Sequence, residues 1–129
     1  LLISALIFGA MHLANPNSSL IAALGLATQA GLLLASAYIY SRSLWFPIAI
    51  HFAWNFMEAG VFGANVSGNA VNRTLLITNI DGADWFTGGK FGPEGSIQAT
   101  LFCLMATIGI LLISRRQNKL IQPDAQRND

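Results

Sequence analysis

The first 41 residues of this 129-residue chain contain no lysine, arginine, aspartate or glutamate. A soluble domain must cover its surface with polar groups, so an uncharged stretch of that length points to lipid as the solvent. The rest of the composition agrees, with a mean hydropathy of +0.53 and 10% charged residues. A net charge of +1 makes no case for nucleic acid. The one cysteine, Cys103, lies in an apolar run. It excludes an intrachain disulfide and a cysteine-based zinc site, and it reads as a packing residue.

A helix needs about 20 apolar residues to cross a bilayer. Leu20–Ser41, Leu44–Gly63 and Ile97–Ser114 meet that length, and Leu1–Ala14 is a shorter fourth. The chain opens in mid-hydrophobic run with neither an initiator Met nor a basic flank. Leu1–Ala14 is therefore not read as a signal peptide, and the chain is expected to be the C-terminal part of a longer protein. The reading is an all-α, polytopic helix bundle over residues 1–114, with a polar cytoplasmic tail over 115–129.

The connections carry their own signals. Pro16 stops the first helix, and the Asn and Ser residues of 15–19 suit caps. Pro47 falls in the first turn of the third span, where a missing N–H costs little. Residues 64–96 form a Gly-rich loop that is too apolar for a solvated linker, with Trp85, Phe86, Phe91 and Leu75–Ile80. It is expected to pack over the outer mouth of the bundle, with a short helix or strand at Leu75–Ile80 and tight turns at Gly88-Gly89 and Gly92-Pro93. The alternative is an aromatic anchor at headgroup level. The second span carries a small and polar row, Ala22, Gly25, Gln29, Ser36 and Tyr40, and the fourth carries Thr100, Cys103 and Thr107. Both rows are expected to face other helices. Arg115, Arg116 and Lys119 follow the last span, which puts the C-terminus in the cytoplasm by the positive-inside rule. Asn-X-Ser/Thr tripeptides at Asn17, Asn65 and Asn72 carry no argument.

The chain's two histidines, His12 and His51, both lie inside apolar segments. Ionisable side chains are expensive in hydrocarbon and normally face a protein interior or a wet cavity, so the pair implies one shared site. Phe8 and His12 share a helix face, as do His51, Asn55, Glu58 and Phe62. Neutral imidazole can bind a metal or take a proton. An amide can hold water or donate to an oxyanion, and a carboxylate can activate water. The residue types suit water-mediated cleavage in a membrane cavity. Haem ligation by the two histidines has no other support in the chain. Straight helices would place His12 near the outer end of its span and His51 about 10 Å from the inner end of its own, at different depths.

Phe8-Gly-Ala-Met-His12 resembles the second motif (F-x-x-x-H) of the CPBP intramembrane proteases, the CAAX-prenyl-protease and bacteriocin-processing or Abi proteins. His51-Phe-Ala-Trp-Asn55 resembles their third (H-x-x-x-N). The 38 residues between the histidines, Ser43–Pro47, Val66-Ser67-Gly68 and Thr87–Ser96 are similar to the family as well. The family's first motif, E-E-x-x-x-R, has no counterpart here, which fits a chain that begins after that helix. The resemblance implies an intramembrane endopeptidase of a bacterial cell membrane. In it the missing Glu would activate water, His12 and His51 would position that water or ligate a divalent metal such as zinc, and Asn55 would stabilise the oxyanion. It implies membrane lipid and a peptide or lipidated protein substrate as partners. Such a chain alone would be inactive. Glu58 lies beyond the motifs and reads either as a pocket carboxylate or as a group at the interface near Gly60, the second slightly favoured. The alternative function is a non-proteolytic scaffold or bacteriocin-immunity protein on the same fold. A transporter lacks the internal repeat that would support it.

Overall fold

Residues 1–120 are described in the computed structural model, and the uncharged stretch forms a helical hairpin there. Helix α1 (Leu2–Met11) tightens into a 3-10 turn at His12–Ala14. The Ser19 hydroxyl accepts from the Ala22 N–H at 3.1 Å, which caps α2 (Leu20–Leu26). A π turn at Ala27–Gly31 joins α2 to α3 (Leu32–Ser41), giving one rod over Leu20–Ser41. Arg42 adopts the left-handed conformation (φ 55°) and ends it. Helix α4 (Trp45–Asn55) continues as a second π turn, Phe56–Val61. After the loop come α5 (Asp84–Thr87), two 3-10 turns at Gly89–Phe91 and Pro93–Gly95, and α6 (Ile97–Arg116). The Ser96 hydroxyl caps α6 by accepting from the Ala99 N–H at 3.2 Å. The fold is the expected all-helical membrane bundle. Leu20–Ser41 and Ile97–Arg116 are long and apolar enough to cross a membrane, and the helical part of the expected third span runs from Trp45 to Val61.

Small residues set the spacing of the first two rods. Ala5 and Gly9 of α1 are buried against a row of Ala23, Ala27 and Gly31. A Cβ on Gly9 would lie 2.3 Å from the Ala23 carbonyl oxygen and 2.8 Å from the Ala27 Cβ. Close approach of this kind replaces the hydrophobic drive that lipid does not supply between helices. Of the expected row on the second span, Gln29 and Ser36 are buried, but the contact to α1 runs through Ala23 and Ala27 rather than Ala22 and Gly25. The expected row on the last span is met by Cys103 and Thr107, with Ser114 continuing it, where α6 packs on α3. Gly9→Val is expected to destabilise the bundle by about 1–3 kcal/mol, the usual range for overpacking. A thermal melt in detergent that did not move would overturn this packing.

The loop 64–96 is packed at its ends and open in its middle. Ala64, Ser67, Thr87, Phe91, Glu94 and Ser96 are buried. Asn15 Nδ2 donates to the Ser67 carbonyl at 3.1 Å, Asn17 Nδ2 to the Gly68 carbonyl at 3.0 Å, and the Gly68 N–H to the Phe91 carbonyl at 2.7 Å. The two loop ends thus form a plug over the end of α1. Leu75–Ile80 corrects the expectation, being neither helix nor strand. The Leu75 and Leu76 N–H groups cap the Gly60 and Val61 carbonyls instead, while Ile77 is 99% exposed. Trp85 and Phe86 also stay exposed, as an interfacial anchor would be. Trypsin added from the loop side is expected to cut after Arg73 well before Lys90, whose carbonyl accepts from Asn65 Nδ2 at 3.1 Å. Equal rates at the two sites would rule out the plug.

The start of the expected polar tail is also held. Arg42 donates to the Lys119 carbonyl, and the Lys119 ammonium sits 3.9 Å from the Tyr40 ring centroid. Residues 121–129 of that tail lie outside the described residues.

Candidate functional site

The end of α1 places His12 where the helix tightens. Its Nδ1 lies 2.7 Å from the Phe8 carbonyl oxygen. A carbonyl only accepts, so Nδ1 carries a proton, and in the neutral ring Nε2 is left with a lone pair. On α4, His51 and Asn55 are one turn apart on one face, and Asn55 Nδ2 lies 3.2 Å from His51 Nε2. The amide donates there, so one N–H of Asn55 remains for another acceptor. Phe8 stands between the rings, 4.7 Å from the His12 centroid and 5.5 Å from that of His51. The two imidazoles therefore lie no further apart than the sum of those distances.

His12, His51 and Asn55 line one small cavity of about 30 Å³, together with Phe8, Gln29, Trp54, Ser67, Glu94 and Cys103. That is room for about two waters. The depth mismatch expected of straight helices is not seen, since both imidazoles line the one cavity. The end of α1 lies beneath the plug, and Ser67 and Glu94 of the plug form part of the cavity wall.

A buried acidic pair adjoins the imidazoles. Glu58 is 8% exposed, against the preference for an interfacial position. It lies in the π turn at Phe56–Val61, where one carboxylate oxygen accepts from Trp54 Nε1 at 2.8 Å and the other from the Glu94 N–H at 3.2 Å. Phe62, at the end of the same stripe, stays 45% exposed. Glu94 is 4% exposed, and its carboxylate accepts from the Ser67 hydroxyl. Burial holds the Glu94 carboxyl above the usual carboxylate range, while the hydrogen bonds from Ser67 and the nearby His12 pull it back. Sequence reasoning did not single out Glu94. The signal was an acid between a Gly-Pro turn and a Ser helix cap, in front of an apolar span.

A second, larger cavity of about 640 Å³ lies beside the first. Its walls are chiefly apolar, with Ala53, Met57, Phe62 and Ile80, and Glu58 at one side. Ile50 and Trp54 line both cavities and form the partition between them.

The donor set does not fit a resident metal. Zinc in a catalytic site takes about three protein ligands plus water. Among the described residues no three His, Cys, Asp or Glu side chains come together to hold an ion. One of the two available ring nitrogens, His51 Nε2, is already engaged by Asn55.

Fold and site together define a helical membrane protein with a buried polar site of water size. Residues 1–57 match the family described as type II CAAX prenyl endopeptidase Rce1-like, a protease family. The match contains both histidines and Asn55, and it bears out the family resemblance carried by the two motifs. No curated protein and no solved structure matches the chain.

Proposed function

We propose that the protein hydrolyses a peptide bond of a membrane-associated substrate, as an intramembrane endopeptidase of the CAAX-protease type. The carrying observation is the meeting of His12, His51 and Asn55 around a water-sized cavity, inside the segment that matches a prenyl endopeptidase family. His12 Nε2 is placed to hold a water as acceptor. His51 orients Asn55, whose second N–H donates to the oxygen of the attacked carbonyl as negative charge develops. The wider apolar cavity takes the substrate's lipid group or apolar segment, and Trp54 separates it from the water. The donor set supports a metal-free route, so no step passes through an ion. The basic residues after α6 support a cytoplasmic C-terminus.

The test uses the full-length protein in proteoliposomes with a quenched farnesylated peptide ending in a CAAX sequence. Wild-type protein is expected to cleave it. Asn55→Ala should lower kcat by about 10²–10³, the range for one lost oxyanion donor. The melting temperature should barely move, since Asn55 is only half-buried. A wild-type kcat in Asn55→Ala would remove that residue from the site, and failure of the wild type to cleave would overturn the reading.

A further inference from the structure

We infer that the loop tip Leu75–Ile80 is a membrane-seated lip. Its apolar side chains rest in the headgroup boundary of the bilayer, and its inner side forms part of the rim of the larger cavity. The seat stands on its own observations, and its bearing on substrate rests on the proposed hydrolysis.

The tip is built the reverse way from a loop in water, which leaves its backbone polar groups to the solvent. Here those groups turn onto the protein. The Leu75 and Leu76 N–H groups donate to the Gly60 and Val61 carbonyls at 2.9 and 2.8 Å. The Thr74 hydroxyl donates to the Leu76 carbonyl at 2.6 Å, and the Thr78 hydroxyl donates to that of Phe62. Gly63 permits the close approach, since a Cβ there would lie 2.6 Å from the Leu76 carbonyl oxygen. The apolar side chains stay outside, with Leu75 77% and Ile77 99% exposed. No charged residue falls between Arg73 and Asp81. Backbone groups paired within the protein and hydrocarbon turned outward suit lipid, whereas water penalises the exposed hydrocarbon. Asn79, which donates to Asp81 at 2.9 Å, and the flanking charges hold the tip at headgroup level rather than in the hydrocarbon core.

Lipid is the occupant because the tip continues a surface that faces lipid. The carbonyls that hold it close the third span, whose exposed side carries the stacked rings of Phe52 and Phe56, 5.9 Å apart. Trp85 and Phe86 of α5 are exposed in the same loop, the residue types that gather at a membrane interface. The other side of the tip meets the cavity. Thr78 and Ile80 form part of its wall with Phe62. Seating the tip therefore sets that rim at headgroup depth. A substrate held by a lipid group lies in the same boundary and meets the rim by moving along the membrane. The lip lowers KM for such substrates and takes no part in the chemistry.

The test places an environment-sensitive dye at Ile77→Cys in the full-length protein, with wild type treated in the same way as the background. The protein is reconstituted in phosphatidylcholine vesicles doped with a lipid that carries a nitroxide on its acyl chain near the glycerol. The dye is expected to lose most of its emission to the nitroxide lipid and little to aqueous iodide. Quenching by iodide alone overturns the seat. Protection from both quenchers also overturns it, because a protein segment or a second copy would then cover the tip. Ile77→Asp is expected to raise KM for the farnesylated peptide by about tenfold with kcat held, the mark of lost uniform binding. Asn72→Asp, the same charge change at an exposed position before the tip, should leave KM unchanged. A wild-type KM in Ile77→Asp, or an equal rise in both variants, overturns the link to substrate. The dye measurement needs no turnover. If the nitroxide quenches it while wild type fails to cleave, the lip stands and the proposed hydrolysis falls.

Discussion

His12→Ala and His51→Ala are each expected to lower kcat by about 10²–10⁴, and the double variant should be little worse than the weaker single. The expectation follows from shared geometry rather than from two independent contributions. Phe8 packs on both rings, so each imidazole limits where the other can sit. One small cavity serves both, and in the proposed mechanism a water held by His12 is useful only if Asn55, hydrogen-bonded to His51, is aimed at the carbonyl. Groups that act as a unit lose most of their effect with the first deletion. The variants should still insert and melt near the wild type, because neither ring supports the close α1–α2 contact. Single-turnover rates on the farnesylated peptide check it. Additive losses in the double variant would mean that the two histidines serve separate purposes.

The helices were legible because lipid imposes a simple pattern: long apolar runs, broken at Pro16 and Arg42 and restarted at serine caps. The imidazole pair was legible for the same reason, since polar groups in such runs stand out. What stayed hidden depends on long-range closure. Glu94 meets Ser67 across 27 positions and Glu58 across 36, and no local periodicity encodes either contact. The π turns were equally silent. Each adds a residue to the helical count and so rotates the following face by about 100°. The contact of the second span with α1 through Ala23 and Ala27 lies before or at the start of its π turn and is set by the close approach of Gly9, a long-range fit that local spacing does not encode. Glu58 stays on the side of His51 and Asn55, and its burial depends on the N–H of Glu94 from the distant loop.

Gly68→Val is expected to abolish activity while leaving the membrane helices in place. Gly68 has φ +82°, and a Cβ there would lie 1.8 Å from the Pro16 carbonyl oxygen. The left-handed conformation alone costs an ordinary residue about 1–2 kcal/mol, and the clash is with backbone, which cannot step aside. Yet Gly68 is the meeting point of three segments. Its N–H donates to Phe91, and its carbonyl accepts from Asn17 of the turn after α1. Displacing it moves Ser67 directly, and through Phe91 it moves the turn that carries Glu94. The cavity then loses a wall that is also its carboxylate, and water from outside reaches the imidazoles without being held. The helix contacts of α3 with α6 are remote from this point, so the melting temperature should fall only modestly. Tryptic cutting at Lys90 should become as fast as at Arg73. Ala70→Val, a change of similar size at an exposed loop position two residues on, serves as the comparison and should do neither. If Gly68→Val stayed active with Lys90 still protected, the plug would be a cover over the site and no part of it.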